Sequence, residues 1–180
     1  MKISYNAPVV LTFALLSLLE LILGYVTHGT TKEYFVSSSW TGSVLYVLGH
    51  SGLGHYLGNM TLILLLGPAL EERYGSLVLL VMIFVTAILT ASVNAALFDH
   101  AIIGASGIVF MMIVLSSMAT MKSGTIHLTF VLVVLLYVGG EMLALLIPDD
   151  VSHFAHIFGG IMGGVLGVFF APIRPDPPFE

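Results

Sequence analysis

Ser106 stands between Ala105 and Gly107 in FDHAIIGASGIVFMMIV, residues 98–114, where a short loop gives way to a long apolar run. A serine hydroxyl becomes a useful nucleophile only when a base takes its proton and nearby donors stabilise the resulting oxyanion. Two other stretches carry groups of that kind. GHSGLGHYLGN, residues 49–59, holds His50, His55 and Asn59, and VSHFAH, residues 151–156, holds His153 and His156. His55 and Asn59, spaced i and i+4, share one helical face and can both donate hydrogen bonds toward one point. Taken singly, each has a bland reading: a serine at a helix start usually caps it, and a histidine near the end of a span usually sits at the interface. Their joint placement carries the functional reading.

The elements that must position these groups are membrane spans. Of the 180 residues, 58% are hydrophobic and only 8% charged, and the mean hydropathy is +1.07. A water-soluble domain carries about a quarter of its residues charged, so this composition defines an integral membrane protein. There is no basic stripe for nucleic acid. With no cysteine, disulfides, thiolate metal sites and thiol nucleophiles are excluded together. Six apolar segments are predicted, at about 8–27, 56–70, 76–98, 106–121, 126–147 and 156–172. The first has a longer apolar run than a signal-peptide core and reads as a retained span. The linker from 28 to 55 keeps Tyr34, Phe35, Trp40 and Tyr46, which predicts a segment lying at headgroup level.

Five cations orient the bundle. Lys2, Arg73, Lys122 and Arg174 fall on one side and only Lys32 on the other, so both termini are expected in the cytoplasm. His50, His55, Asn59, Ser106, His153 and His156 then lie near the outward face, although they come from three spans. Intramembrane polar groups are costly and are commonly paired or functional. In the last span Ala155, Gly159, Gly163 and Gly167 form a small-residue strip of period four, beside a second strip of His156, Gly160 and Gly164. Such strips let membrane helices approach closely, and Gly107 offers a matching notch. If spans four and six pack there, His156 comes within reach of Ser106. Gly104 permits the backbone torsions by which a loop dips below the membrane surface. Span four, about 16 apolar residues or roughly 24 Å, is short for a hydrocarbon core of about 30 Å, so its N-terminus starts in a cavity open to the outside. There its free N–H groups and positive dipole end favour an oxyanion.

GHSGLGHYLGNM, GPALEERYG, GASGIVF and AHIFGGIMGG, in this order, resemble the marks of rhomboid intramembrane serine proteases, over about residues 10–172. The resemblance implies an all-α, six-transmembrane-helix bundle and a catalytic dyad of Ser106, from GxSG, and His156, from AHxxGxxxG. His55 and Asn59, from HxxxN, are implied to stabilise the oxyanion with the Ser106 N–H. His50 matches a further histidine before that motif, and Gly67, Glu71 and Arg73 match structural positions where the acid and base satisfy loop backbone. Three residues depart from the pattern. Phe110 replaces a tyrosine one turn below the serine, so its ring can pack beside His156 but brings no hydroxyl. Thr41 follows Trp40 where arginine is usual, and Tyr46 replaces a histidine.

The expected protein is therefore a polytopic all-α membrane protein. It forms one membrane-embedded domain over 1–180 and cleaves transmembrane or membrane-anchored protein substrates near the outer membrane face. Ser106 and His156 carry the reaction, His55 and Asn59 the oxyanion, and Gly104, Gly107, Phe110, His50, Gly159 and Gly163 support them. No cofactor, metal or nucleic acid is expected; the partners are the lipid bilayer and membrane protein substrates. The compact core and the lack of an Arg-rich presequence favour a prokaryotic plasma membrane. Three rivals remain. A binding protein of the same fold typically lacks the serine or histidine. A transporter would use Glu20, Glu141 and Asn94, and a metal hydrolase would use His50, His55, His153 and His156, though without HExxH.

Overall fold

The computed structural model describes residues 4–29, 34–36, 42–119, 125–144, 152–170 and 172. Every regular element among them is helical. The order is α1 (Pro8–Val26), a single turn α2 (Gly42–Leu45), α3 (Leu53–Tyr74), α4 (Ser76–Leu97), α5 (Ser106–Ala119), α6 (Leu128–Val133), a π-helical turn (Val134–Val138), α7 (Gly139–Ala144) and α8 (His153–Phe169). Both flanks of the π turn keep right-handed helical torsions, so α6, the π turn and α7 form one continuous rod. Among the described residues α1, α3 and α4 are long and apolar enough to cross a membrane, and three shorter apolar helices, Ser106–Met118, Leu128–Leu143 and His153–Phe169, complete six.

The helices follow the six apolar segments, with shifted ends. α3 begins at Leu53, three residues before the apolar run, so GHYLGN is wholly helical. α8 begins at His153 because the Ser152 hydroxyl accepts from the Ala155 N–H at 3.4 Å, a capping signal that hydropathy does not register. Tyr46, expected to present its ring to headgroups, is instead enclosed by protein. It is 2% exposed, deep in the core, and its carbonyl accepts from the Gly104 N–H at 2.9 Å. Trp40, the two acids Asp149 and Asp150 just before VSHFAH, and four of the five cations, all but Arg73, lie outside the described residues.

Two local devices lock the cytoplasmic-predicted end. Ala7, at the N-cap of α1, has no side chain that can cap, yet Pro8 favours the first helical position. Glu71 of α3 supplies the missing acceptor: its carboxylate oxygens take the N–H groups of Val9 and Val10, each at 3.0 Å, and one of them also takes the Ser76 hydroxyl at 2.7 Å. Gly75, with φ of 85°, is the sole residue between α3 and α4, and allows the chain to change direction there. Glu71→Ala is expected to destabilise the fold by about 2 kcal/mol, because it strands two helix-terminal donors and a hydroxyl. Thermal unfolding in detergent measures this, with Glu71→Gln losing less.

α5 is the central helix. Ile108, Val109, Met111, Met112, Ile113, Val114 and Leu115 are all buried, so it is enclosed on every side, as an all-apolar helix must be. Its closest neighbour is α8. A Cβ added at Gly159 would collide with the Gly107 carbonyl, and one at Gly163 with the Met111 carbonyl. Backbone lies against backbone along this seam.

Candidate active site

Ser106 is the first residue of α5, so the first N–H groups of that helix have no partner inside it. The preceding turn depends on Gly104, whose φ of 118° lies in the left-handed region. Space gives a second reason for glycine. A Cβ there would stand 2.5 Å from Cε1 and 2.6 Å from Nε2 of His55, so the imidazole lies directly over the Gly104 backbone, two residues from the serine.

His55 is held from behind. Its Nδ1 accepts from the Ser51 N–H at 3.4 Å and lies 3.1 Å from the Ser51 hydroxyl. An imidazole that accepts at Nδ1 carries its proton on Nε2, the nitrogen turned toward Gly104. His50 packs edge-on against His55, with ring centroids 5.1 Å apart, and against Tyr56 at 5.5 Å. His50 is fully buried; its Nδ1–H donates to the Leu48 carbonyl at 3.0 Å, and its backbone N–H donates to Glu20 Oε2 at 3.2 Å. Burial pushes its pKa down to about 4, against the opposing pull of the Leu48 carbonyl, so the ring is neutral at physiological pH. Asn59, one turn along α3 from His55, is 7% exposed, and its buried Nδ2 has no acceptor among the described residues. A buried amide donor without an acceptor is costly, and one in a cavity wall is open to a ligand atom or a water.

Ser106, His156, His55, Asn59, Phe110 and His100 line one cavity of about 1120 Å³. The His156 ring stacks on Phe110, with centroids 4.6 Å apart and planes 6° from parallel. On its other side His156 Nδ1 lies 2.9 Å from Glu141 Oε2. Among the described residues Nδ1 is buried and makes no hydrogen bond, despite the short distance. The same Oε2 is hydrogen-bonded to His153 Nδ1 at 2.6 Å. Among the described residues no hydrogen bond joins Ser106 to His156. Resting sites often hold nucleophile and base slightly apart and tighten when substrate binds.

The structure thus brings Ser106, His156, His55 and Asn59 to one cavity. His50 lies behind His55 rather than in the wall, and His153 turns to Glu141. Gly107, Gly159 and Gly163 form the seam, and Phe110 forms the stacking face. The three span carboxylate and amide groups serve different neighbours. Glu20 takes the His50 N–H, Glu141 meets the two histidines of α8, and Asn94 Nδ2 donates to the His100 carbonyl at 2.7 Å. Sequence reading missed Ser51 and Ser152. Their only signal was local, one four residues before His55 and the other four before His156. It also missed the partners of Glu141, which was visible only as a carboxylate inside a span.

Among the described residues, six apolar helices, one of them buried by the rest and with a cavity at its N-terminus, define an integral membrane protein. The model of the Rhomboid domain matches residues 37–173, beginning after α1. RHOMBOID-like protein 2 of Arabidopsis thaliana is 31% identical over 135 residues, which cover 73% of this chain and 42% of that protein. The chain belongs to the rhomboid family, a family of intramembrane-protease type. It spans about two fifths of the length of that curated relative.

Proposed function

We propose that the chain is an intramembrane serine endopeptidase, one membrane-embedded domain that cleaves transmembrane or membrane-anchored proteins. The observation that carries this reading is the cavity shared by Ser106, His156, His55 and Asn59, with Asn59 Nδ2 buried in its wall and lacking an acceptor among the described residues. The Ser106 Oγ adds to a substrate peptide carbonyl while its proton passes to Nε2 of His156. The carbonyl oxygen becomes an oxyanion that accepts from the Ser106 N–H, His55 Nε2–H and Asn59 Nδ2. His156 then gives its proton to the leaving amine, and water releases the acyl group by the reverse sequence. The positive-inside rule favours both termini in the cytoplasm and the cavity in the outward half of the membrane.

Reaction of the detergent-purified protein with a fluorophosphonate, followed by mass spectrometry, tests the reading. The adduct is expected on Ser106, and labelling that avoids Ser106 rejects it. Asn59→Ala is expected to lower kcat about 10²-fold with little change in KM, because one of three oxyanion donors is lost. A change confined to KM would make Asn59 a substrate-binding residue instead.

A further inference from the structure

We propose that Glu141 is a positioning residue for His156: its carboxylate accepts a hydrogen bond from the Nδ1–H of the imidazole, leaving Nε2 bare on the side of Ser106. This rests on the serine-protease reading above and adds a third group to it. A neutral histidine that takes a proton at Nε2 must hold its own proton on Nδ1. His156 Nδ1 is buried, and Glu141 Oε2, at 2.9 Å, is the acceptor beside it. Phe110 covers the ring face by stacking and provides no hydrogen bond, so it holds the plane of the imidazole without choosing the tautomer. The carboxylate makes that choice. The two atoms already stand at hydrogen-bond distance and need only come into line.

Two features hold Glu141 in place. His153, one turn before His156 on α8, is hydrogen-bonded to the same Oε2 at 2.6 Å and pins the carboxylate at the seam. The π turn Val134–Val138 precedes α7 directly. Its wider winding shifts the register of everything after it relative to a plain α-helix, and π turns recur at functional sites. Val138, at the end of that turn, abuts α8: a Cβ at Gly160 would stand 2.8 Å from its Cγ2. When His156 takes up the serine proton, the adjacent carboxylate also offsets the new positive charge, the role an acid plays in a serine–histidine–acid triad.

The test is a graded series on the full chain in detergent. Glu141→Leu removes the acceptor and is expected to lower kcat about 10²-fold with KM unchanged, while Glu141→Gln, whose amide oxygen still accepts, recovers part of the loss. Nitrogen-15 NMR of the histidines supplies a readout that a purely structural role would not move. His156 should be the Nδ1–H tautomer in the parent and lose that preference in Glu141→Leu. Equal kcat in parent and Leu variant, or a fall in kcat with the tautomer unchanged, overturns the proposal. If Glu141→Leu does not fold, the Gln variant and His153→Ala carry the same two readouts. Glu141, His153 and His156 also bring three donor atoms within 4.8 Å of one another, a spacing open to a zinc ion. Activity is expected to survive dialysis against a chelator; loss restored by zinc overturns the positioning role. Labelling of Ser106 separates the two readings. A parent not labelled at Ser106 fails the protease itself, whereas a labelled parent with an equally reactive, unperturbed Leu variant fails only the role of Glu141.

Discussion

Ser106→Ala and His156→Ala are each expected to lower the kcat for a single-span substrate by about 10⁴–10⁶-fold, to the limit of detection. The serine supplies the only proposed nucleophile, so its loss leaves nothing to form the acyl-enzyme. Removing the histidine leaves a hydroxyl with no base beside it. The double variant should be no worse than either single one, because two groups that act in one step lose their joint effect when either is removed. Ser106→Ala deletes one oxygen at a cavity wall and should keep the melting temperature of the parent. His156→Ala also loses the stack on Phe110, a cost of about 1 kcal/mol, too small to unfold the bundle. Purified variants assayed by gel shift of the substrate give the answer. Near-normal turnover by either would reject the dyad.

Gly163→Val is expected to lower activity by more than about 10³-fold, well beyond its effect on thermal stability. Even the first added carbon at this position would run into the Met111 carbonyl on α5, and valine adds two more. A flexible side chain could step aside, but a helix backbone cannot, so α8 must move as a unit. A misplacement of about 1 Å at a reacting centre costs on the order of 10² in rate, and the collision requires more than that. His156 stands at the start of the displaced helix and would be carried away from Ser106 with it. Gly159→Val should behave alike, since its Cβ would meet the Gly107 carbonyl one residue from the serine. The control lies on the same helix: Gly164 has nothing within 4 Å of its would-be Cβ, and Gly164→Val should remain within a few-fold of the parent. Parent-like turnover by Gly163→Val would mean that the glycine seam does not place the base.

The membrane-spanning character and the six helices were legible in the chain because apolar runs long enough to enter a bilayer have few other uses. Their ends were less so. The start of α8 is capped by one hydrogen bond that the Ser152 hydroxyl accepts from the Ala155 N–H, and the start of α3 lies in a glycine-rich stretch that hydropathy scores as loop. The seam was legible too, since a period-four run of small residues declares which face of a helix is meant to touch another backbone. Gly104 could be read as a residue needing unusual torsions. That His55 occupies the space above it could not, because α3 and the turn before α5 are far apart in the chain.

What the sequence by itself determined is therefore local and periodic: the solvent of the protein, its helices, the face of α8 that packs, and the residue types able to attack, accept a proton and stabilise an anion. The tertiary structure alone decided which of those residues meet. It put His50 behind His55 instead of in the cavity wall, buried Tyr46 under the Gly104 turn, and sent His153 to Glu141. The physical reason is clearest at Glu141. A π turn shifts the register of α7 after Val138, so no spacing counted along an ordinary helix places that carboxylate against α8.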